Sequence, residues 1–209
     1  MAKKLRIARM RAISMNALVW SSSIKAIQPS AEVYCQTRDI VQARIESIRS
    51  VLLQNEWDQS TTALIIAVMG ELTSNVFDHN LGQWPDVPGC WFEFDLDQSH
   101  ISMTVADRGR GVRSSLLRIR PGIDDREALR IAFSEHVTGR APEKRGNGLK
   151  FVMNVLRGLP GVTFVYQSGA MILSYSTMKD QSHQIPDLLS ETPDCIQGVY
   201  AKLDIQKSI

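Results

Sequence analysis

Cysteine is scarce and scattered in this chain. Cys35, Cys90 and Cys195 are odd in number and none stands near another in sequence. That excludes a disulfide framework or a cysteine-rich zinc site and fits a reducing compartment, so the expected location is the cytoplasm. Long apolar runs are also missing. The longest, Ala63 to Met69, is far too short to span a bilayer, and the basic start MAKKLRIARMRAISM has no apolar stretch behind it to make a secretory signal. Two familiar phosphate-binding patterns are absent as well: there is no G-x-x-x-x-G-K-[ST] and no G-x-G-x-x-G anywhere, which removes the P-loop and the Rossmann dinucleotide site. There is no internal repeat and no low-complexity tract.

What remains is ordinary enough to fold. Of 209 residues, 44% are hydrophobic and 22% charged, which suits one domain with a real core and some appendage. The net charge of +2 hides an uneven distribution. Residues 1–31 carry six basic side chains (Lys3, Lys4, Arg6, Arg9, Arg11, Lys25) and no acidic one, leaving a body of net charge −4. This basic arm is expected to be a solvated terminus, or else to touch nucleic acid, an acidic membrane surface or an acidic partner.

Periodicity supplies the elements. Val41, Ile45, Ile48 and Leu52 form one apolar face of a helix over residues 37–53, and Ile65, Val68, Met69, Leu72 and Val76 do the same for a helix over residues 60–80. Residues 81–89, with Gly82, Pro85, Pro88 and Gly89, read as a loop. Two strands, 90–96 and 101–106, join through Asp97-Gln98-Ser99-His100 as a hairpin. Asp124-Asp125-Arg126-Glu127 opens a short helix, and Leu149, Val152, Met153 and Leu156 mark another, closed by Gly158. A second hairpin is predicted over 162–176 around Ser168-Gly169, an irregular insertion over 178–194, and a last strand over 198–205.

Three stretches carry chemistry. In ELTSNVFDH, Glu71 and Asn75 stand four apart on one helix face and His79 one turn further, presenting a carboxylate, a carboxamide and an imidazole together. In VADRGRGV, a strand ends at Asp107 and is followed by Gly109 and Gly111, which let the backbone turn and approach a ligand closely. An Asp so placed can accept a hydrogen bond from an amino group such as that of adenine. In KRGNGLKFV, Gly146 and Gly148 open a helix behind Lys144 and Arg145, and the free N–H groups of a helix start make an anion site. Residues 108–150 hold eleven basic and five acidic side chains, a positive field around that site.

Taken in order, E-x-x-x-N-x-x-x-H on a helix, a hairpin, D-x-G-x-G at its end, a long basic loop and G-x-G-L opening a helix resembles the GHKL, or Bergerat-fold, histidine-kinase-like ATPase superfamily. The likeness runs from about residue 37 to 205, and the His following N-x-x-x looks closest to the stand-alone anti-sigma-factor serine kinases. The resemblance implies an α+β domain over residues 32–209, a two-layer α/β sandwich with a mixed, mostly antiparallel sheet and helices packed on one face. It implies ATP and magnesium as cofactors. Asn75 would ligate the metal and Glu71 would serve as the catalytic base. Asp107, Gly109 and Gly111 would form the base pocket. Arg145, Gly146, Asn147, Gly148 and Leu149 would lie along the triphosphate, with His79 and Lys150 nearby, under a lid over about 113–145. It further implies a serine/threonine kinase or anti-sigma-like regulator acting on a small protein partner, with a homodimer as a compatible state. The alternative is a nucleotide-gated binding module without turnover. Family members often enter the last strand with Gly-Thr; this chain has Gly198-Val199, without the hydroxyl. None of His79, His100, His136 or His183 lies on an N-terminal helix pair, so a complete sensor histidine kinase is not expected.

Overall fold

The computed structural model describes residues 14–80, 82–135, 147–179 and 184–207, and the side chains from residue 17 onward. The chain is α+β, with one five-stranded antiparallel sheet and a helical layer. Its elements are α1 (Ser14–Ser22), β1 (Tyr34–Cys35), α2 (Arg38–Gln54), α3 (Gln59–Asn80), β2 (Cys90–Leu96), β3 (His100–Asp107), α4 (Gly111–Leu116), α5 (Asp125–Ser134), α6 (Gly148–Gly158), β4 (Val162–Ser176) and β5 (Leu189–Gln206). The sheet order is β1-β2-β3-β5-β4. Every ladder among the described residues is antiparallel, so the mixed sheet implied by the resemblance is corrected to a purely antiparallel one. Each paired strand is reached by a reversal of the chain, which leaves no same-sense neighbour to make a parallel ladder.

The two long helices form where the apolar stripes lie. Thr37 caps α2, accepting from the Ile40 N–H, and its predicted stripe is buried in full. Asp58 caps α3 through the N–H groups of Ser60 and Thr61. α3 is long and apolar enough to cross a membrane by length and composition, but half of that stretch is buried within the molecule against α2, α6 and the sheet. It is a core helix here, and four of its buried side chains (Ile65, Val68, Met69 and Leu72) are no more than 4% exposed.

β4 is not straight. Gly169 has φ +60, and the Thr177 N–H donates to the Val162 carbonyl at 3.0 Å. Ends fifteen residues apart can meet only if the strand doubles back, so the predicted hairpin around Ser168-Gly169 is present within it. β5 starts earlier than expected. Leu189, Ser190 and Glu191 pair with Leu173, Ile172 and Met171, so the supposed irregular insertion over 178–194 ends in a strand. Pro193 and mostly outward-facing polar residues hid it.

The helices are not all on one face. Ala17 and Trp20 of α1 pack with Trp91, Ala106 and Tyr200 on the reverse side of the sheet, away from the main core of α2, α3, α5, α6 and the inward strand residues. The described part of the 1–31 segment therefore belongs to the folded body, while its basic residues from Lys3 to Arg11 lie outside the described residues. The apolar side chains of β2, β3 and β5 alternate between the two faces, and the outer set needs a cover; α1 supplies part of it.

Candidate functional site

α3 runs from the far end of the molecule to the ends of β3 and α6, and its last three turns carry the predicted polar residues. Glu71 and Asn75 are half-buried and His79 is exposed. Glu71 lies directly against the first residue of α6: a β-carbon built on Gly148 would fall 1.7 Å from Glu71 Oε1 and 2.6 Å from its Cδ. The helical carboxylate and the second glycine turn, 77 positions apart in sequence, are thus in contact because the helix start bears no side chain. Asn147, exposed, stands at the cap of α6 without a side-chain capping bond. Leu149 is 8% exposed and belongs to the main core, so only its backbone faces any ligand. Arg145 and Gly146 lie outside the described residues, as does 136–145 of the expected lid. The remainder of that lid is packed: α5 buries Ala128, Leu129, Ile131 and Phe133, and the Ala170 N–H donates to the Asp125 carboxylate at 3.2 Å.

The other glycine turn meets the last residue of the same helix. Asn80, 3% exposed, donates from Nδ2 to the Val76 carbonyl at 2.8 Å and to Asp107 Oδ1 at 3.4 Å, and accepts from the Arg110 N–H at 2.9 Å. A β-carbon on Gly109 would strike the Asn80 carboxamide at 2.1 Å. Asn80 escaped the sequence reading, yet a signal was there. It continues the buried stripe Thr73, Val76, Phe77, and a carboxamide in such a stripe needs partners. Glu71 and Asn80 are nine residues apart, about 14 Å along the helix axis at 1.5 Å per residue. One rigid element therefore sets the spacing between the two turns.

Asp107 is 2% exposed and sits where β2, β3 and β5 meet, opposite Cys90 on one side and Val199 on the other. Burial pushes its carboxyl up to about 7, against the pull of N–H donors from Gly109, Asn80 and Val199. Buried Tyr166 lies within reach of its charge, and burial together with that charge raises the phenol. Gly198 has φ +82, and a β-carbon there would meet the Asp107 carbonyl at 2.4 Å, Asp107 Oδ1 at 2.6 Å and Gly109 N at 2.7 Å. Gly198-Val199 therefore stands against Asp107, with Val199 contributing a backbone N–H and no hydroxyl. Gly111, φ +71, is fixed beside it: Ser168 Oγ accepts from the Val112 N–H and donates to the Gly198 carbonyl, both at 3.0 Å.

No family model matches the chain, and no curated protein matches it. Function rests on this geometry alone.

Gly198→Ala is expected to destabilise the fold by about 3 kcal/mol, from a left-handed backbone and a clash with main-chain atoms that cannot rotate away. Urea titration checks it. A loss below about 0.5 kcal/mol would mean that the Gly198 turn relaxes freely and does not hold Asp107.

Proposed function

We propose that this chain is an ATP- and magnesium-binding domain of the histidine-kinase-like, Bergerat-fold type. In this reading it acts in the cytoplasm as a stand-alone serine/threonine kinase or anti-sigma-like regulator of a small protein partner. The observation that carries the reading is the double contact of α3: Glu71 against Gly148, and Asn80 against the Asp107-Arg108-Gly109 turn. That arrangement supports a cleft with a base-reading acid at one end and a carboxylate, a carboxamide and a helix N-terminus at the other. An extended nucleoside triphosphate is of the length that joins the two.

The buried Asp107 carboxylate would accept a hydrogen bond from the adenine amino group, its own position held by three N–H donors. The α6 N-terminus would face the phosphates with backbone N–H groups that have no intrahelical carbonyl to bond. The Asn75 carboxamide oxygen is a donor of the kind a hard ion takes, and it would hold magnesium together with phosphate oxygens and water. Bound magnesium would neutralise charge on the phosphate oxygens. Glu71, at the phosphate end, would take the proton from the attacking hydroxyl.

The test is calorimetric titration with ATP, with and without magnesium, followed by transfer of labelled phosphate to a candidate partner. Asn75→Ala should weaken magnesium-dependent binding about tenfold, the loss of one hydrogen-bond-scale ligand. Glu71→Gln should keep binding and lose transfer. Wild type that takes up no ATP would end the proposal; wild type that binds but neither hydrolyses nor transfers would leave the non-catalytic, nucleotide-gated module.

A further inference from the structure

We infer that Arg108, the residue between the base-reading acid and the first glycine of D-x-G-x-G, is a positioning residue. It couples docking of the N-terminal helix α1 to adenine recognition. The inference rests on the nucleotide reading above.

Asp107 and Arg108 are consecutive at the end of an extended strand, so their side chains leave on opposite faces of the sheet. Asp107 faces α3. Arg108 goes to the reverse face and is 1% exposed, the largest of the fully buried side chains. All three guanidinium nitrogens are engaged. Nε donates to both Asp86 oxygens at 3.1 Å and Nη2 to Asp86 Oδ2 at 2.7 Å; Nη1 donates to the Trp20 carbonyl at 2.5 Å and the Ser23 carbonyl at 2.8 Å. Trp20 lies in the last turn of α1, where its carbonyl also accepts from the Ser23 N–H at 3.4 Å, and Ser23 is the first residue past the helix. Arg108 is therefore the cap of α1 and places a positive charge at the negative end of its dipole. The Trp20 ring lies 5.9 Å from the same guanidinium and 6.2 Å from Trp91, whose register partner Ala106 precedes Asp107.

With α1 gone, Nη1 loses both of its acceptors and only the Asp86 side of the guanidinium stays held. Arg108 is then free to re-seat, and the backbone it turns on is the one whose Gly109 N–H donates to Asp107 at 2.7 Å. The acid then shifts relative to the base it reads. Linkage runs both ways: a ligand that needs Asp107 in its present position strengthens the docking of α1.

The experiment uses the full chain as wild type, Arg108→Met and Trp20→Ala; Trp20 has its side chain on the reverse face, so its variant removes no group from the proposed cleft. Circular dichroism establishes that each variant is folded, and calorimetry measures ATP, GTP and tripolyphosphate binding. Both variants should bind ATP about tenfold more weakly, lose the preference for ATP over GTP by the same factor, and bind tripolyphosphate unchanged. A merely structural role would not move the ATP-to-GTP ratio. In wild type, saturating ATP should slow amide exchange over residues 14–23. Should Arg108→Met fail to fold, Trp20→Ala and the exchange measurement decide. An ATP-to-GTP ratio unchanged in the folded variants, or exchange over 14–23 indifferent to ATP, removes the coupling and leaves the nucleotide reading standing. No ATP binding by wild type removes both.

Discussion

Replacing Gly148 by alanine should cost the chain little stability and most of its turnover. The nearest atoms to the added β-carbon are Oε1 of Glu71 at 1.7 Å and Cδ at 2.6 Å, the far end of a flexible side chain. That carboxylate can swing away, so the fold survives, and alanine in a helix is if anything favoured over glycine, by up to about 1 kcal/mol. What suffers is the position of the proposed base. A misplacement of about 1 Å in a reacting group lowers rates by roughly 100-fold, and that is the loss expected in ATP turnover or phosphate transfer at saturating nucleotide. ATP affinity should change much less. Unfolding curves and steady-state kinetics on one preparation check both halves. Turnover that survives intact in Gly148→Ala would mean that Glu71 has no such role.

The second large effect concerns Asp107 and pH. With its carboxyl pushed up to about 7 by burial, the group is largely protonated in weakly acidic solution, and a neutral carboxyl is a weaker acceptor for an adenine amino group than the carboxylate. ATP affinity should fall about tenfold for each pH unit below 7 and level off above it. Asp107→Asn should lower affinity at pH 8 by roughly 10- to 100-fold, the worth of a hydrogen bond to a charged acceptor, and abolish the slope. Calorimetry across pH 5.5 to 8.5 on both proteins is the measurement, those limits being roughly 1.5 units either side of the shifted value. A slope that persists in the variant would assign the titration to another group.

Stability moves the other way. An acid whose folded value is raised keeps a proton that the unfolded chain releases, so its contribution is greatest below the ordinary carboxyl range. It is lost as pH climbs from about 4 toward 7, by about 4 kcal/mol at the most, and is constant beyond. On the proposed reading, Asp107 would bind the base best at a pH where it weakens the fold.

Much of this could be read beforehand. The stripes of α2 and α3 stood out because 3.6-residue periodicity survives any tertiary context that buries one face, and Asp124 marks α5 by accepting from the Glu127 N–H, the capping box the sequence suggested. Glu71, Gly148, Asp107 and Gly109 were legible as types at a spacing; their convergence on one cleft came only as an implication of the resemblance, and the role of α3 in joining them depends on long-range packing that no local pattern carries. The residues that hold them were hidden for separate reasons. Arg108 looks like a surface polar until its burial is known, and Asn80 is marked only by its place in the buried stripe of α3. Gly198 acquires meaning only when β5 pairs with β3. α4 has a glycine, a β-branched residue and two serines in six positions, so nothing local announces it; it is held by Leu116 and by Ser168. α1 has no strong amphipathic pattern, and it is recruited by the outer face of a sheet that the chain makes later.

The pairing of Asp107 with Val199 also bears on the order of events during synthesis. β3 has left the ribosome long before the strand that completes its far side exists, and contacts between such distant segments close slowly. Until β5 arrives, the acid has one neighbouring strand instead of two and no glycine turn over it. A growing chain therefore has helices and a hairpin well before the proposed nucleotide cleft is complete, and any binding there would begin only after β5 has been made.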